Sequence, residues 1–254
     1  MKATAFEFRT RFWIILAIYT LGFTTPWDAV WRIDPHGING DVWGGLAAAL
    51  ARSGVVSIGA AFNVVLVAAI VCATAGAWLR MWGTATLGVD VMSDHSFRGD
   101  RVVAAGPYRY LRNPLYVGSW LNTLALTLLM RPSGAVFTVV ALVGFQLRLI
   151  LGEEAFLRAK LGEAYAEYCA RVPRIVPRFK VRGSRFQGDA KRARWDHAAV
   201  AEIYMWMSAA GFAVLGWRYD RMLLLQWVLV SLGASLVVKG LVLGRKKRIT
   251  ESTE

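Results

Sequence analysis

Between Gly106 and Gly118 the chain reads Gly-Pro-Tyr-Arg-Tyr-Leu-Arg-Asn-Pro-Leu-Tyr-Val-Gly, and further on it carries the pair Glu153-Glu154. Together these residues offer cations and a carboxamide (Arg109, Arg112, Asn113), aromatic hydroxyls (Tyr108, Tyr110, Tyr116) and carboxylates. That mixture suits a zwitterionic ligand bearing hydroxyls, bound by charge-assisted hydrogen bonds. Pro107, Pro114, Gly106 and Gly118 bend the backbone so that amides and carbonyls near a helix start can face such a ligand. The sequence holds no Cys/His group with metal-ligand spacing, no Gly-x-Ser-x-Gly and no Walker-type loop. Metal hydrolysis, serine hydrolysis and P-loop chemistry are therefore disfavoured.

These groups act together only if the chain brings them together. Between Asn113 and Glu153 lies an apolar run broken once, at Arg131-Pro132-Ser133-Gly134, which has the composition of a tight turn between two helices. One arm has about 19 residues and the other about 21, so at 1.5 Å per residue both reach roughly 30 Å. The spacing predicts a membrane hairpin that returns the Arg/Asn/Tyr cluster and the glutamates to one depth. Taken singly, the residues read more plainly. Arg109 and Arg112 are ordinary flanking cations, the tyrosines belong to an interfacial belt, and Glu154 with Arg158 forms a surface pair at i, i+4. Their joint occurrence at matched depth outweighs those readings.

The surroundings fit. The chain of 254 residues is 56% hydrophobic with 11 Trp, too apolar for one ordinary soluble core. Apolar runs at 12–25, 55–82, 116–130, 133–151, 198–217 and 222–243 predict an all-α, polytopic membrane bundle of about six transmembrane helices. The spacing then expects a pocket for a polar ligand on the cytoplasmic side, at the end of the hairpin. Threading these runs alternately puts most of the 30 Lys and Arg, the motif and both termini on one side, which reads as cytoplasmic. The formal charge of +13 then reflects positive-inside bias and attraction to anionic headgroups, and nucleic-acid binding is not expected. Cys72 lies in a span and Cys169 in a cytoplasmic segment, so no disulfide framework is expected.

In chain order, 1–81 reads as N-terminal transmembrane helices with an outer loop. Within it, 1–11 is an interfacial lead, the first span is an uncleaved anchor, and 26–54 is a Trp-rich loop pressed on headgroups. Asp34 and His36 in that loop make a turn rather than a metal site. Asn63, in the second span, reads as a hydrogen-bonding contact to a neighbouring helix. The core 82–180 begins with an irregular connection into the motif and closes with an amphipathic helix, 154–171, ended by Pro173 and Pro177. The last portion, 181–254, is a basic linker and two more spans. No internal repeat is evident.

The ordered set Gly-Pro-Tyr-Arg-Tyr-x-Arg-Asn-Pro-x-Tyr-x-Gly, then Glu-Glu-x-x-Leu, Leu161-Gly162-x-x-Tyr165-x-x-Tyr168 and Val172-Pro173, resembles the integral-membrane methyltransferases typified by isoprenylcysteine carboxyl methyltransferase and phosphatidylethanolamine N-methyltransferase. The likeness covers roughly 82–177. It implies S-adenosylmethionine (S-adenosyl-L-methionine) at the cytoplasmic end of the hairpin, with a lipidic or small apolar acceptor entering from the bilayer. By the resemblance the cofactor is held by Asp100, Arg101, Val102, Val103 and Tyr108, by the box Arg112, Asn113, Pro114, Leu115, Tyr116, and by Glu153. Arg112 and Glu154 are the expected catalytic pair.

Arg148 is the nearest match to an arginine that orients anionic acceptors in the carboxyl methyltransferases; as a residue it also reads as a snorkelling cation at a helix end. The family histidine is Asn113 here, and an amide cannot titrate near neutral pH. The expected activity is methyl transfer by direct displacement to a carboxylate, amine or thiol. A membrane reductase using NADPH, or a non-catalytic scaffold or transporter, is the alternative. The sequence leaves the oligomeric state open.

Overall fold

The computed structural model describes residues 2–30, 40–87, 102–178 and 193–251. Among these residues there are helices and turns and no strand. Three helices are long and apolar enough to cross a membrane: α5 (Ile58–Leu87), α7 (Pro132–Arg171) and the Arg221–Val238 part of α10 (Arg221–Glu251). A fourth span arises if α8 (Trp195–Ala201) and α9 (Ile203–Leu215), bent by 67° at their junction, count as one. The other two apolar runs form α2 (Arg11–Thr24) and α6 (Pro114–Thr127), each only 14 residues long. The six runs are thus all helical, but fewer than six pass as spans by length and composition.

Two close crossings hold the hairpin to its neighbours. The buried stripe of α5 is made of small residues, Ala69, Ala73, Gly76 and Ala77, which let α6 approach closely. A Cβ on Gly76 would lie 2.6 Å from the Gly118 carbonyl oxygen, and one on Gly118 would lie 2.8 Å from the Gly76 carbonyl oxygen. On the other side α2 meets α7, where a Cβ on Gly134 would sit 2.0 Å from the Gly22 carbonyl oxygen. Backbone contact this close gives the dispersion energy that lipid-exposed helices cannot gain from hydrophobicity. Around these crossings Trp43, Leu66, Leu126, Phe212 and Leu224 fill one core, and Phe8, Ile18, Leu142, Phe145 and Leu149 fill a second. Val67, Val71, Val140, Val230 and Val237 point outward, as lipid-facing residues must.

The hairpin turn differs in detail from the sequence expectation. Pro132 is the first residue of α7, so Ser133 and Gly134 are already helical and the connection lies at 128–131. Proline's fixed φ and missing N–H suit a first helical position better than a turn interior. The turn's carbonyls are satisfied by α4 (Val42–Arg52): Val42 N–H donates to the Met130 carbonyl at 2.9 Å and Trp43 N–H to Leu128 at 3.2 Å.

The region 26–54 is accordingly not a loop on the headgroups. It contains α3 (Trp27–Val30) and α4, capped by the Asp41 carboxylate accepting from Gly44 N–H at 2.8 Å, and Trp43 lies in the core at 3% exposure. Asp34 and His36 fall outside the described residues. Asn63 accepts a hydrogen bond from the Tyr219 hydroxyl, which ties α5 to the turn before α10. At the other end of α7 the helix continues without interruption past Glu154, bends at Gly162 with φ 54°, a backbone setting suited to glycine, and ends at Arg171.

Candidate active site

The motif enters the bundle through α1 (Ala5–Arg9), α5, α6 and α7, all of which end near it. A 3₁₀ turn over Gly106–Arg109 starts it. Gly106 has φ 53°, and a Cβ there would come within 2.4 Å of the Thr86 hydroxyl oxygen and 3.0 Å of Trp82 Nε1, so only glycine lets the turn rest on the end of α5. The turn buries Tyr108, whose carbonyl accepts from the Tyr168 hydroxyl at 2.8 Å. Its own hydroxyl is buried with no hydrogen-bond partner among the described residues. The backbone then pairs with the chain beyond α7: Arg112 N–H donates to the Pro173 carbonyl at 2.9 Å, and Arg178 N–H to that of Tyr110 at 3.0 Å. Pro173, a helix terminator that also closes the ordered motif set, therefore helps to hold the motif.

Asn113 and Pro114 begin α6, and the hairpin closes as its length predicts. The Tyr116 hydroxyl donates to Glu153 Oε1 at 2.7 Å. Asn113 Nδ2 donates to Glu154 Oε1 at 3.3 Å and to the Arg174 carbonyl at 3.2 Å. Consecutive helical residues point about 100° apart, so the two glutamates meet different neighbours. Glu154 is buried and multiply held. Arg174 reaches it with Nε at 3.1 Å from each oxygen and with Nη2 at 2.8 Å, and Arg112 Nε lies 3.3 Å away as an ion pair without hydrogen-bond alignment. Those hydrogen bonds from Glu154 hold the Arg174 guanidinium even more firmly protonated than usual. Glu153 is different. It is half-buried and, among the described residues, forms no close ion pair, the Arg11 charge acting on it only from farther away.

Of the other residues singled out in the sequence, Val102 packs with Ala104, Tyr165, Tyr168 and Val172, in a cluster that seats the approach to the motif on the end of α7. Val103 follows it in the same extended stretch, and Asp100 and Arg101 lie outside the described residues. Leu115 offers its carbonyl to Arg80 Nη1 at 3.3 Å. Arg148 is committed elsewhere: its Nη2 donates to Glu7 at 2.9 and 3.0 Å, and its carbonyl accepts from Ala3 N–H at 3.0 Å, which straps α1 to α7.

Three charged residues were not singled out at all. Arg174 sits beside a proline that already had a role as terminator. Arg80 reads in sequence as one more flanking cation at a span end. Glu202 carried the clearer signal, an acid inside an apolar run, where an ionisable side chain needs a partner. No cluster of three or more His, Cys, Asp or Glu suited to a metal occurs among the described residues.

Residues 64–164 match the family model for phospholipid methyltransferase. The matched segment runs from the first third of α5 through the motif, α6 and the hairpin to just past the bend at Gly162, and so contains both ends of the Tyr116–Glu153 contact. Over that segment, less than half of the chain, the protein is similar to phospholipid methyltransferases, and its apolar helices suit a membrane. No curated protein and no solved structure matches the chain. The matched segment stops short of Arg174, Glu202 and α8 to α10.

Proposed function

We propose that this protein is an S-adenosylmethionine-dependent methyltransferase that acts from the cytoplasmic face of a membrane on a lipidic or small apolar acceptor. The observation that carries the reading is the closure of the hairpin on Glu153, a carboxylate met by the Tyr116 hydroxyl at 2.7 Å and, among the described residues, held in no close ion pair, with Arg11 acting only from farther away. A half-buried carboxylate with unspent acceptor capacity calls for a cationic partner. The buried hydroxyl of Tyr108, without a partner among the described residues, likewise calls for a polar group. An amino acid moiety with an ammonium group fits both demands. Glu153, Tyr116 and Tyr108 would hold it, with Asn113, Pro114 and Leu115 shaping the wall and Val102 and Val103 the approach.

When bound, S-adenosylmethionine supplies an electrophilic methyl carbon on a sulfonium. The residues of the chain then have to orient the acceptor heteroatom in line with that carbon and keep water away. Asn113 cannot accept a proton at neutral pH, so an acceptor that loses one gives it to solvent or another group. Arg112 and Glu154, locked together with Arg174, are better suited to fixing the backbone around Asn113 than to touching the reacting atoms. The Lys and Arg concentrated at the motif end support a cytoplasmic orientation.

The test is incubation of purified protein with methyl-labelled S-adenosylmethionine and a membrane lipid extract. The expected result is label in an apolar product, lost in Glu153→Gln. Absence of label, together with no thermal stabilisation by S-adenosylhomocysteine, would overturn the reading.

A further inference from the structure

The acid that breaks the α8–α9 helix is the starting point. Glu202 leaves helical geometry at φ −106° and ψ 14°, and it is 1% exposed. Its carboxylate accepts from Arg80 Nε at 2.7 Å and Nη2 at 3.0 Å, a bidentate grip, and from the Thr84 hydroxyl at 2.9 Å. The far side of the same guanidinium faces α6: Nη1 donates to the Ser119 hydroxyl at 2.7 Å and to the Leu115 carbonyl at 3.3 Å. Leu115 and Ser119 flank Tyr116 on the opening turns of α6. Gly118 belongs to the same arrangement, since a Cβ there would lie 2.7 Å from Arg80 Cγ. Glycine at the end of the motif therefore makes room for the arginine stem as well as for α5.

Burying such a pair is a poor way to gain stability, because desolvation of both charges roughly cancels their attraction. An apolar pair would hold three helices together as well or better. What an apolar pair cannot do is fix a carbonyl and a hydroxyl at defined positions. We infer that Glu202, which lies outside the family-matched segment, is a positioning residue: through Arg80 it sets the first turns of α6, and so aims the Tyr116 hydroxyl at Glu153. The broken pair α8–α9 is then part of the catalytic unit and not an appended anchor. This inference rests on the methyltransferase reading for its functional meaning, and on geometry alone for its structural one.

The experiment compares the full chain with the double variant Arg80→Met/Glu202→Met and with Glu202→Gln, in lipid nanodiscs. Three readouts are taken: thermal midpoint, amide hydrogen exchange at residues 117–120, and S-adenosylhomocysteine affinity. The double variant removes both charges and is expected to keep a midpoint within a few degrees of the parent. Its exchange at 117–120 is expected to be at least tenfold faster and its affinity about tenfold weaker. Glu202→Gln keeps the volume and an acceptor, and is expected to change exchange and affinity in the same direction by threefold or more. Parent-like exchange at 117–120 in either folded variant would overturn the positioning role and leave only a weld. If the parent protein itself fails to bind S-adenosylhomocysteine, the methyltransferase reading falls, while the exchange data still judge whether Glu202 positions α6.

Discussion

Glu154 and Glu202 are both buried carboxylates gripped by arginine, but they sit in opposite surroundings. Glu154 lies at the mouth of the hairpin, where Arg174 reaches it with 42% of its side chain open to solvent, and Arg112 and Asn113 share the contact. Glu202 meets Arg80, 15% exposed, between three apolar helices. A carboxylate with two cations, one of them in water, can lose a partner and rearrange. A bidentate pair removed from water gives up a partner at greater cost, because the survivor's charge stays buried. The mouth of the site is therefore the adjustable region, and the junction of α5, α6 and α9 is the rigid one.

Arg80→Met alone should give the largest effect, about 3–5 kcal/mol of destabilisation, because it takes the bidentate cation from a buried carboxylate. Thermal unfolding in nanodiscs reads this as a large fall in midpoint, and a cost no greater than that of Arg174→Ala would erase the contrast. Gly118→Val comes next. Its new side chain presses on Arg80 Cγ and on the Gly76 carbonyl, for an expected loss of about 1–3 kcal/mol by the same assay. Arg174→Ala should be mild, about 1 kcal/mol or less, since that arginine is largely solvated and Arg112 remains. Its clearer signature is faster amide exchange at Arg112, whose N–H is held by the Pro173 carbonyl next to the substituted residue.

The smallest effect concerns the strap at the other edge of the site. Arg148 and the Thr4 backbone hold the half-buried Glu7 carboxyl below its ordinary value of 4.5. A depressed folded value means that the contact contributes fully above the unfolded value and is lost as pH falls through the folded one. Proteolysis within 2–11 should therefore be slow at neutral pH and quicken only below the ordinary carboxylate range. Arg148→Met should remove that pH dependence.

The hairpin and its matched ends were legible because helix rise is constant: residue counts from Asn113 and from Glu153 to one turn convert directly into depth, and Tyr116 meets Glu153 as they require. The helical character of all six apolar runs followed from hydropathy in the same way. Residues 42–52 were not legible as a helix. Their Gly-Gly and flanking Trp have the composition of an interfacial loop, and the helix forms because Asp41 caps it and the hairpin turn accepts its first amides. Arg174 and Glu202 were missed for a related reason. Their roles depend on contacts with Glu154, 20 residues away in sequence, and Arg80, 122 away, and no local pattern reports those contacts. The family match, which ends at residue 164, does not reach them either.

The central claim is that Tyr116 and Glu153, brought to one depth by the hairpin, hold the cationic end of a methyl donor. Calorimetric titration of the full chain with S-adenosylhomocysteine, alongside Tyr116→Phe and Glu153→Gln, tests it most directly. The account predicts binding by the parent protein, weakened about tenfold by Glu153→Gln, the loss of one charge-assisted contact, and less by Tyr116→Phe. Equal affinity in all three proteins, or none in the parent, would contradict it.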